Sequence, residues 1–286
     1  MIALASESLA YMVDPVTGRQ VMADSSGEAG LGSRGLFVRA AQDLAWSPDG
    51  QSLAYTTVSG VIVVDVMTGA ESLRSDLEGC DLTFGCYVGW SPDGASLAVT
   101  EFQKIHIIDV ASGRTTPIAT LRDVDPASPA WSPDGEWIVF AVRPRLYRVR
   151  PDGSDLTRVL TDEGLGPVDP TWTPGGTRIA FVSSEDPPGD GWNLVIVSVD
   201  PDGSDRRQIA HIGSCFCLGW WPPGLAWSPD GTQIAFVTLN FGIKVDADTR
   251  PDGGAKGGLF VATADGSEPR LLLSGVTGSP AWQSVP

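Results

Sequence analysis

The chain has 286 residues, 42% of them hydrophobic, with 34 Gly, 22 Pro and a formal net charge of −16, which suits one large all-β unit rich in tight turns. That charge, without a basic stripe, excludes a phosphate backbone as partner and disfavours an anionic membrane surface. No apolar run approaches the roughly 20 residues of a membrane helix.

From the N-terminus, Met1 is followed at once by strand-like Ile2-Ala3-Leu4-Ala5, with no basic stretch ahead of it, so no signal peptide is expected within this sequence. A second apolar segment, Leu9–Val13, a Thr17-Gly18 turn and Gln20–Ala23 come next. A repeat then takes over. Leu44–Thr56 (LAWSPDGQSLAYT), Val88–Thr100 (VGWSPDGASLAVT), Pro129–Ala141 (PAWSPDGEWIVFA), Pro170–Val182 (PTWTPGGTRIAFV) and Leu225–Val237 (LAWSPDGTQIAFV) are copies of one unit, and a sixth begins at Pro280-Ala281-Trp282. The tryptophans Trp46, Trp90, Trp131, Trp172, Trp227 and Trp282 are spaced by 44, 41, 41, 55 and 55 residues, the length of a propeller blade. One Trp per unit at a fixed place is a core position.

Each unit reads as four antiparallel strands. A short strand ends in Trp, and Ser-Pro-Asp-Gly reverses the chain: Pro presets φ, Asp tolerates the third position and Gly relieves the fourth. A second strand follows, then a third (Val61–Val66, Ile105–Val110, Leu194–Val199, Leu259–Ala262), a Gly turn and a fourth. Radial repetition of such units makes a propeller. The expected blades are 43–77, 87–120, 128–161, 169–210, 225–273, and 279–286 joined to 1–23, in a single domain over 1–286. Ile2–Ser6 matches Ile179–Ser183, the second strand of an earlier unit. The last blade is therefore expected to take one strand from the C-terminus and three from the N-terminus. That seam closes a six-bladed ring and removes two edge strands.

The W-[ST]-P-[DG]-G-x-x-[IL]-[AV]-[FVY] units resemble the TolB-like propeller repeats over essentially the whole chain. That resemblance implies a six-bladed β-propeller and an extracytoplasmic, periplasmic or secreted setting. The family includes protein-binding platforms, propeller lids of peptidases and oligogalacturonate lyases, so fold alone does not assign function.

Loop length points to one face. In a propeller the first-to-second and third-to-fourth turns share a face, and here they are uniformly tight. The extra length falls on the other face: the crossings Asp24–Asp43, Glu78–Gly89 and His211–Gly224, and the loops Ser184–Trp192 and Leu239–Gly257. Insertions confined to one face mark a binding face, or are simply tolerated length. Phe84, Tyr87, Trp192, Phe216, Trp220, Trp221 and Phe241 lie in or beside these loops, where aromatics would grip a protein, peptide or glycan. Trp220 and Trp221 could equally pack their crossing onto the neighbouring blade.

Asp43 and Asp169 each precede a repeat Trp by three residues, where the innermost strand starts. Carboxylates and carbonyls there could hold Ca²⁺ or a water column, although Tyr87, Ser128, Gly224 and Ser279 occupy the other equivalent places. No cofactor is otherwise required. Asp246, Asp248 and Asp252 lack the spacing of a calcium loop. The cysteines form two local pairs, Cys80 with Cys86 and Cys215 with Cys217, expected as two loop-pinning disulfides in an oxidising compartment. Cys215 and Cys217, one residue apart, could instead be free thiols.

No catalytic constellation stands out. Only His106 and His211 exist, too few for the multi-histidine metal site that the lyase resemblance would imply, and no G-x-S-x-G elbow occurs. The expectation is a monomeric, non-catalytic binding or sensor propeller. Its rival is a metal-dependent lyase, hydrolase or lactonase with its site at the channel mouth.

Overall fold

The computed structural model describes residues 1–5, 10–16, 20–22, 43–77, 79–80, 85–121, 126–142, 144–160, 168–185, 192–215, 224–238, 258–267, 269–274 and 280–283. These form an all-β propeller of four-stranded antiparallel blades. Along the chain the strands are β1 (Ile2–Ala5), β2 (Ala10–Val13), β3 (Gln20–Met22), β4 (Leu44–Trp46), β5 (Ser52–Thr57), β6 (Gly60–Asp65), β7 (Glu71–Asp76) and β8 (Tyr87–Trp90). Next come β9 (Ser96–Glu101), β10 (Lys104–Asp109), β11 (Thr115–Thr120), β12 (Ala127–Trp131), β13 (Ile138–Val142), β14 (Arg145–Val149), β15 (Thr157–Leu160) and β16 (Val168–Trp172). The remainder are β17 (Ile179–Glu185), β18 (Trp192–Val199), β19 (Arg207–Cys215), β20 (Leu225–Trp227), β21 (Gln233–Thr238), β22 (Gly258–Thr263), β23 (Arg270–Ser274) and β24 (Pro280–Trp282).

Among the described residues these strands make six four-stranded sheets. Five use consecutive strands, and the sixth has the order β24-β1-β2-β3, with Ile2 opposite Trp282 and Leu4 opposite Pro280. The first strands neighbour one another in succession, and β24 lies against both β20 and β4.

The turn motif explains itself at atomic scale. In Ser47-Pro48-Asp49-Gly50 the serine Oγ donates to the Asp49 carboxylate at 2.5 Å and accepts the Ser52 N–H at 2.9 Å, while Asp49 also accepts the Gln51 N–H. The same bonds recur at Ser91/Asp93, Ser132/Asp134 and Ser228/Asp230. The hydroxyl donor holds each of these carboxyls below the ordinary carboxylate range. Aspartate is thus a bonded member of the turn and not merely tolerated there.

Core strands are apolar on both faces because every sheet is covered on both sides. Ile138–Val142 is buried throughout, as are Leu97–Val99 and Ile234–Val237. By contrast, the outer strand β7 alternates between exposed and buried positions. The core lies between sheets. Phe181, Val195 and Val197 pack with Val139, Leu146 and Val159 of the preceding sheet, and Ile2 and Val13 pack with Val237 and Leu259. Trp46 and Trp172 are buried, and Trp90, Trp131, Trp227 and Trp282 half-buried. The Trp90 indole donates to the Ala45 carbonyl of the preceding sheet at 3.0 Å.

The glycine of the β18–β19 turn has a specific reason. Gly203 has φ of +87°, and a Cβ there would sit 2.1 Å from the Val159 carbonyl oxygen of the preceding sheet. Close approach and backbone conformation both require glycine.

One boundary differs from the sequence expectation. Ser184, Glu185 and His211–Cys215, read above as loop and crossing, are strand: β17, β18 and β19 run on together until Trp192 pairs with Cys215. Backbone pairing holds the extension, Glu185 with Asn193 and Trp192, Asn193 and Leu194 with Cys215, Ser214 and Gly213.

Candidate functional site

Two places at the long-loop end of the molecule carry the sequence candidates. At the first, Asp43 and Asp169 stand at equivalent points ahead of β4 and in β16. Asp43 is buried, its amide donates to Thr56 Oγ1 at 3.0 Å, and its Oδ2 accepts the Val88 N–H of the next sheet at 2.9 Å. Asp169 repeats the last bond with Leu225 N–H at 2.8 Å. It does so from a bulge in β16 where its own φ is +50°, a left-handed conformation that Asp accepts more readily than most residues. Val88 and Leu225 each lie two residues before their repeat Trp, so both carboxylates tie one first strand to the next. Burial drives the Asp43 carboxyl up to about 7, against the Val88 hydrogen bond that lowers it; the Asp169 charge adds to the rise. Among the described residues no three His, Cys, Asp or Glu side chains gather as a metal site. Each of these two carboxylates already spends an oxygen on backbone.

At the second place, a crossing is pinned. Cys80 and Cys86 form a disulfide with Cα atoms 5.2 Å apart. Beside it the Gly79 N–H donates to Glu101 Oε1 at 2.7 Å, and Glu101 Oε2 lies 2.6 Å from His106 Nε2, poorly aligned for a hydrogen bond. Both side chains of that pair are buried, and burial pushes the His106 imidazole below its ordinary value against the pull of Glu101. Thr56 Oγ1 donates to the Cys86 carbonyl at 2.6 Å, joining the pinned crossing to the Asp43 cluster.

Around this crossing the described surface is partly apolar. Tyr87 is half-exposed at the start of β8, with its N–H on Thr100 Oγ1 at 3.2 Å. Phe102, in the tight turn between β9 and β10, is 43% exposed, and Val58, in the corresponding turn of the preceding sheet, 46%. Sequence reasoning missed both. Their signal was a large apolar residue inside a two-residue second-to-third turn, where a polar one is usual. Of the other candidates, Trp192 begins β18 and Cys215 ends β19. Phe84, Phe216, Cys217, Trp220, Trp221 and Phe241 lie outside the described residues, as do Asp246, Asp248 and Asp252. No helix among the described residues is long and apolar enough to cross a membrane.

The chain is similar in fold to several solved structures. TolB from Acinetobacter baumannii matches at 20% identity and a TM-score of 0.65, over 99% of this chain and 66% of that one, so the chain spans about two thirds of that protein. A protein assigned as TolB from Agrobacterium tumefaciens matches at 19% and 0.66, covering 99% of this chain and 94% of that one. An oligogalacturonate lyase in complex with manganese matches at 18% and 0.56, covering 92% and 69%. A search of curated proteins gives no match. The TolB beta propeller domain family, PD40, matches residues 43–269, which hold five complete copies of the Trp-to-Gly turn. The chain therefore belongs to the TolB β-propeller domain family.

Proposed function

We propose that the chain is a non-catalytic binding platform, a six-bladed ring in one domain over 1–286, that takes a protein, peptide or glycan on its long-loop face. The observation that carries this is the Cys80–Cys86 disulfide, which links two points of a crossing beside the exposed Phe102 and half-exposed Tyr87. A pinned loop with aromatic neighbours loses little conformational entropy on binding, and aromatic anchors dominate interface energies. Ring closure is supported by the β24–β1 pairing and by Ala3 packing with Leu44 and Trp46 of the first full sheet. The disulfide also supports an extracytoplasmic location. Trp192, Phe216, Trp220, Trp221, Phe241 and Phe84 would extend the same surface.

The test is binding of the purified chain to arrayed envelope proteins, peptides and glycans. Phe102→Ala and a Trp220→Ala/Trp221→Ala pair should each weaken the strongest hit about tenfold or more, the usual cost of an interface anchor. Gln51→Ala and Thr177→Ala, exposed on the tight-turn face, should leave it unchanged. Binding that survives the aromatic changes and fails with the turn changes would place the working face on the other side.

The metal-dependent alternative requires Asp43 and Asp169 to exchange backbone N–H groups for an ion. Equilibrium dialysis with Ca²⁺ and Mn²⁺, comparing wild type with Asp43→Asn/Asp169→Asn, decides it.

A further inference from the structure

His106 sits in an interface that is otherwise apolar. It lies opposite Val99 of β9, and Val99 packs with Leu97 and Ile108 of its own sheet against Val61, Val63, Leu73 and Leu77 of the preceding one. Residues directly opposite on paired strands share a face, as do residues two apart on one strand. His106 and Glu101 therefore look into this interface, and both are buried. Cys80 and Cys86 belong to the same cluster.

Of the two imidazole nitrogens, Nε2 has Glu101 Oε2 at 2.6 Å, and Nδ1 has no partner among the described residues. Two lone pairs repel at that distance, so a proton stands between Oε2 and Nε2. A further proton could go only to Nδ1, as a buried donor without an acceptor. Glu101 has a second duty. Its Oε1 accepts the Gly79 N–H at 2.7 Å, and a Cβ on Gly79 would stand 2.5 Å from its Cγ. One carboxylate thus couples the ring to the start of the crossing. At the far end, the Cys86 carbonyl is held separately by Thr56 Oγ1.

Burial holds the imidazole below its ordinary value against the pull of Glu101, and Lys104, exposed and opposite Glu101 at the start of β10, lowers it further. Strand β11 brings no charge, with Pro117 opposite His106. The preceding sheet contributes apolar residues to the interface, its Asp76 being exposed at the end of β7. Glu78 and Asp81 of the crossing lie outside the described residues.

We propose that the His106–Glu101 pair is an acid-sensitive latch on the Cys80–Cys86 crossing: a second proton, at Nδ1, drives the ring toward water, draws Glu101 off the Gly79 N–H and lifts the crossing at that end. An imidazole in water takes its second proton near pH 6.5. The closed, buried ring takes it only at lower pH, so the open state binds a proton that the closed state refuses. Opening begins as pH falls below about 6.5 and grows until the buried ring is protonated as well.

The readout is the rate at which tris(2-carboxyethyl)phosphine reduces Cys80–Cys86 in the folded full chain, followed by alkylation and mass mapping. Rates are taken from pH 8 to pH 5 and divided by the rate in urea-unfolded chain at the same pH. The ratio should rise about tenfold over that range, the order of one buried donor left without an acceptor. His106→Gln should keep it flat. Glu101→Gln retains an oxygen for the Gly79 N–H and removes the charge that favours the cation, so its rise should be steeper than that of wild type. Amide protection in β13, buried throughout, should stay constant. A flat wild-type profile, or the same rise in His106→Gln, overturns the proposal. So does a Glu101→Gln profile no steeper than wild type, a comparison that decides the matter even where His106→Gln fails to fold. Loss of β13 protection in step with reduction overturns it in favour of global acid unfolding.

Discussion

Replacing Asp43 by Asn tests the physics of the first-strand tie directly. Asp43 is buried and accepts the Val88 N–H, and its carboxyl is raised to about 7 chiefly by burial. An unfolded chain releases the same proton near pH 4. The native state therefore binds more protons than the unfolded state across that interval, and this residue's contribution to stability falls as pH rises from about 4 through 7. About three pH units at 1.36 kcal/mol each give an upper figure of roughly 4 kcal/mol lost by pH 8. Asn keeps an oxygen for the Val88 N–H and cannot ionise. Asp43→Asn should thus match wild type near pH 4 and exceed it by a few kcal/mol at pH 8. Urea midpoints of both proteins at pH 4, 5, 6, 7 and 8, taken as a difference, cancel the titration of His106 and the other carboxylates. A difference that stays flat from pH 4 to 8 would show that Asp43 ionises at its ordinary value and that the enclosed-carboxylate reasoning is wrong.

Glycines divide by what surrounds them. Gly203→Ala, facing the Val159 carbonyl, should cost at least about 3 kcal/mol, whereas Gly69→Ala, with nothing within 4 Å and a φ of +70°, should cost only the left-handed penalty of about 1–2 kcal/mol. Chemical unfolding of both variants checks the ordering. Cys80→Ser/Cys86→Ser should lose about 2 kcal/mol, the chain-entropy figure for so short a loop, and reducing the wild type should lower its melting temperature to that of the double variant. Deleting Ile2–Val13 removes the partner of β24 and the apolar groups that pack on Val237 and Leu259. Aggregation in place of a cooperative melt is expected, and a soluble, cooperatively unfolding deletion would show the seam to be dispensable.

Most of the strand plan was legible because it is written over short distances. Ser47, Asp49 and Ser52 satisfy one another within six residues, so the turn appears in the sequence wherever its local bonds exist. The alternation of β7 and the unbroken apolar run of β13 likewise record one covered face against two. The role of Asp43 was not legible. A carboxylate ahead of an innermost strand could equally have met an ion, and only its bond to Val88, 45 residues away, shows that it meets backbone. Asp169 reaches Leu225 across 56 residues in the same manner. The extension of β17–β19 was hidden for a related reason: Ser184, Glu185, Gly213 and Ser214 offer no apolar period to read, and only the pairing of three strands shows it.

By itself, then, the sequence determined the repeating unit, its turns and its apolar strands, because each depends on neighbours a few residues apart. Tertiary structure decided what the charged and aromatic residues do. Whether Phe102 faces solvent and whether Asp43 meets an ion or an amide both depend on which sheet edges are brought side by side. Those partners lie a blade apart in the chain, beyond the reach of any local pattern.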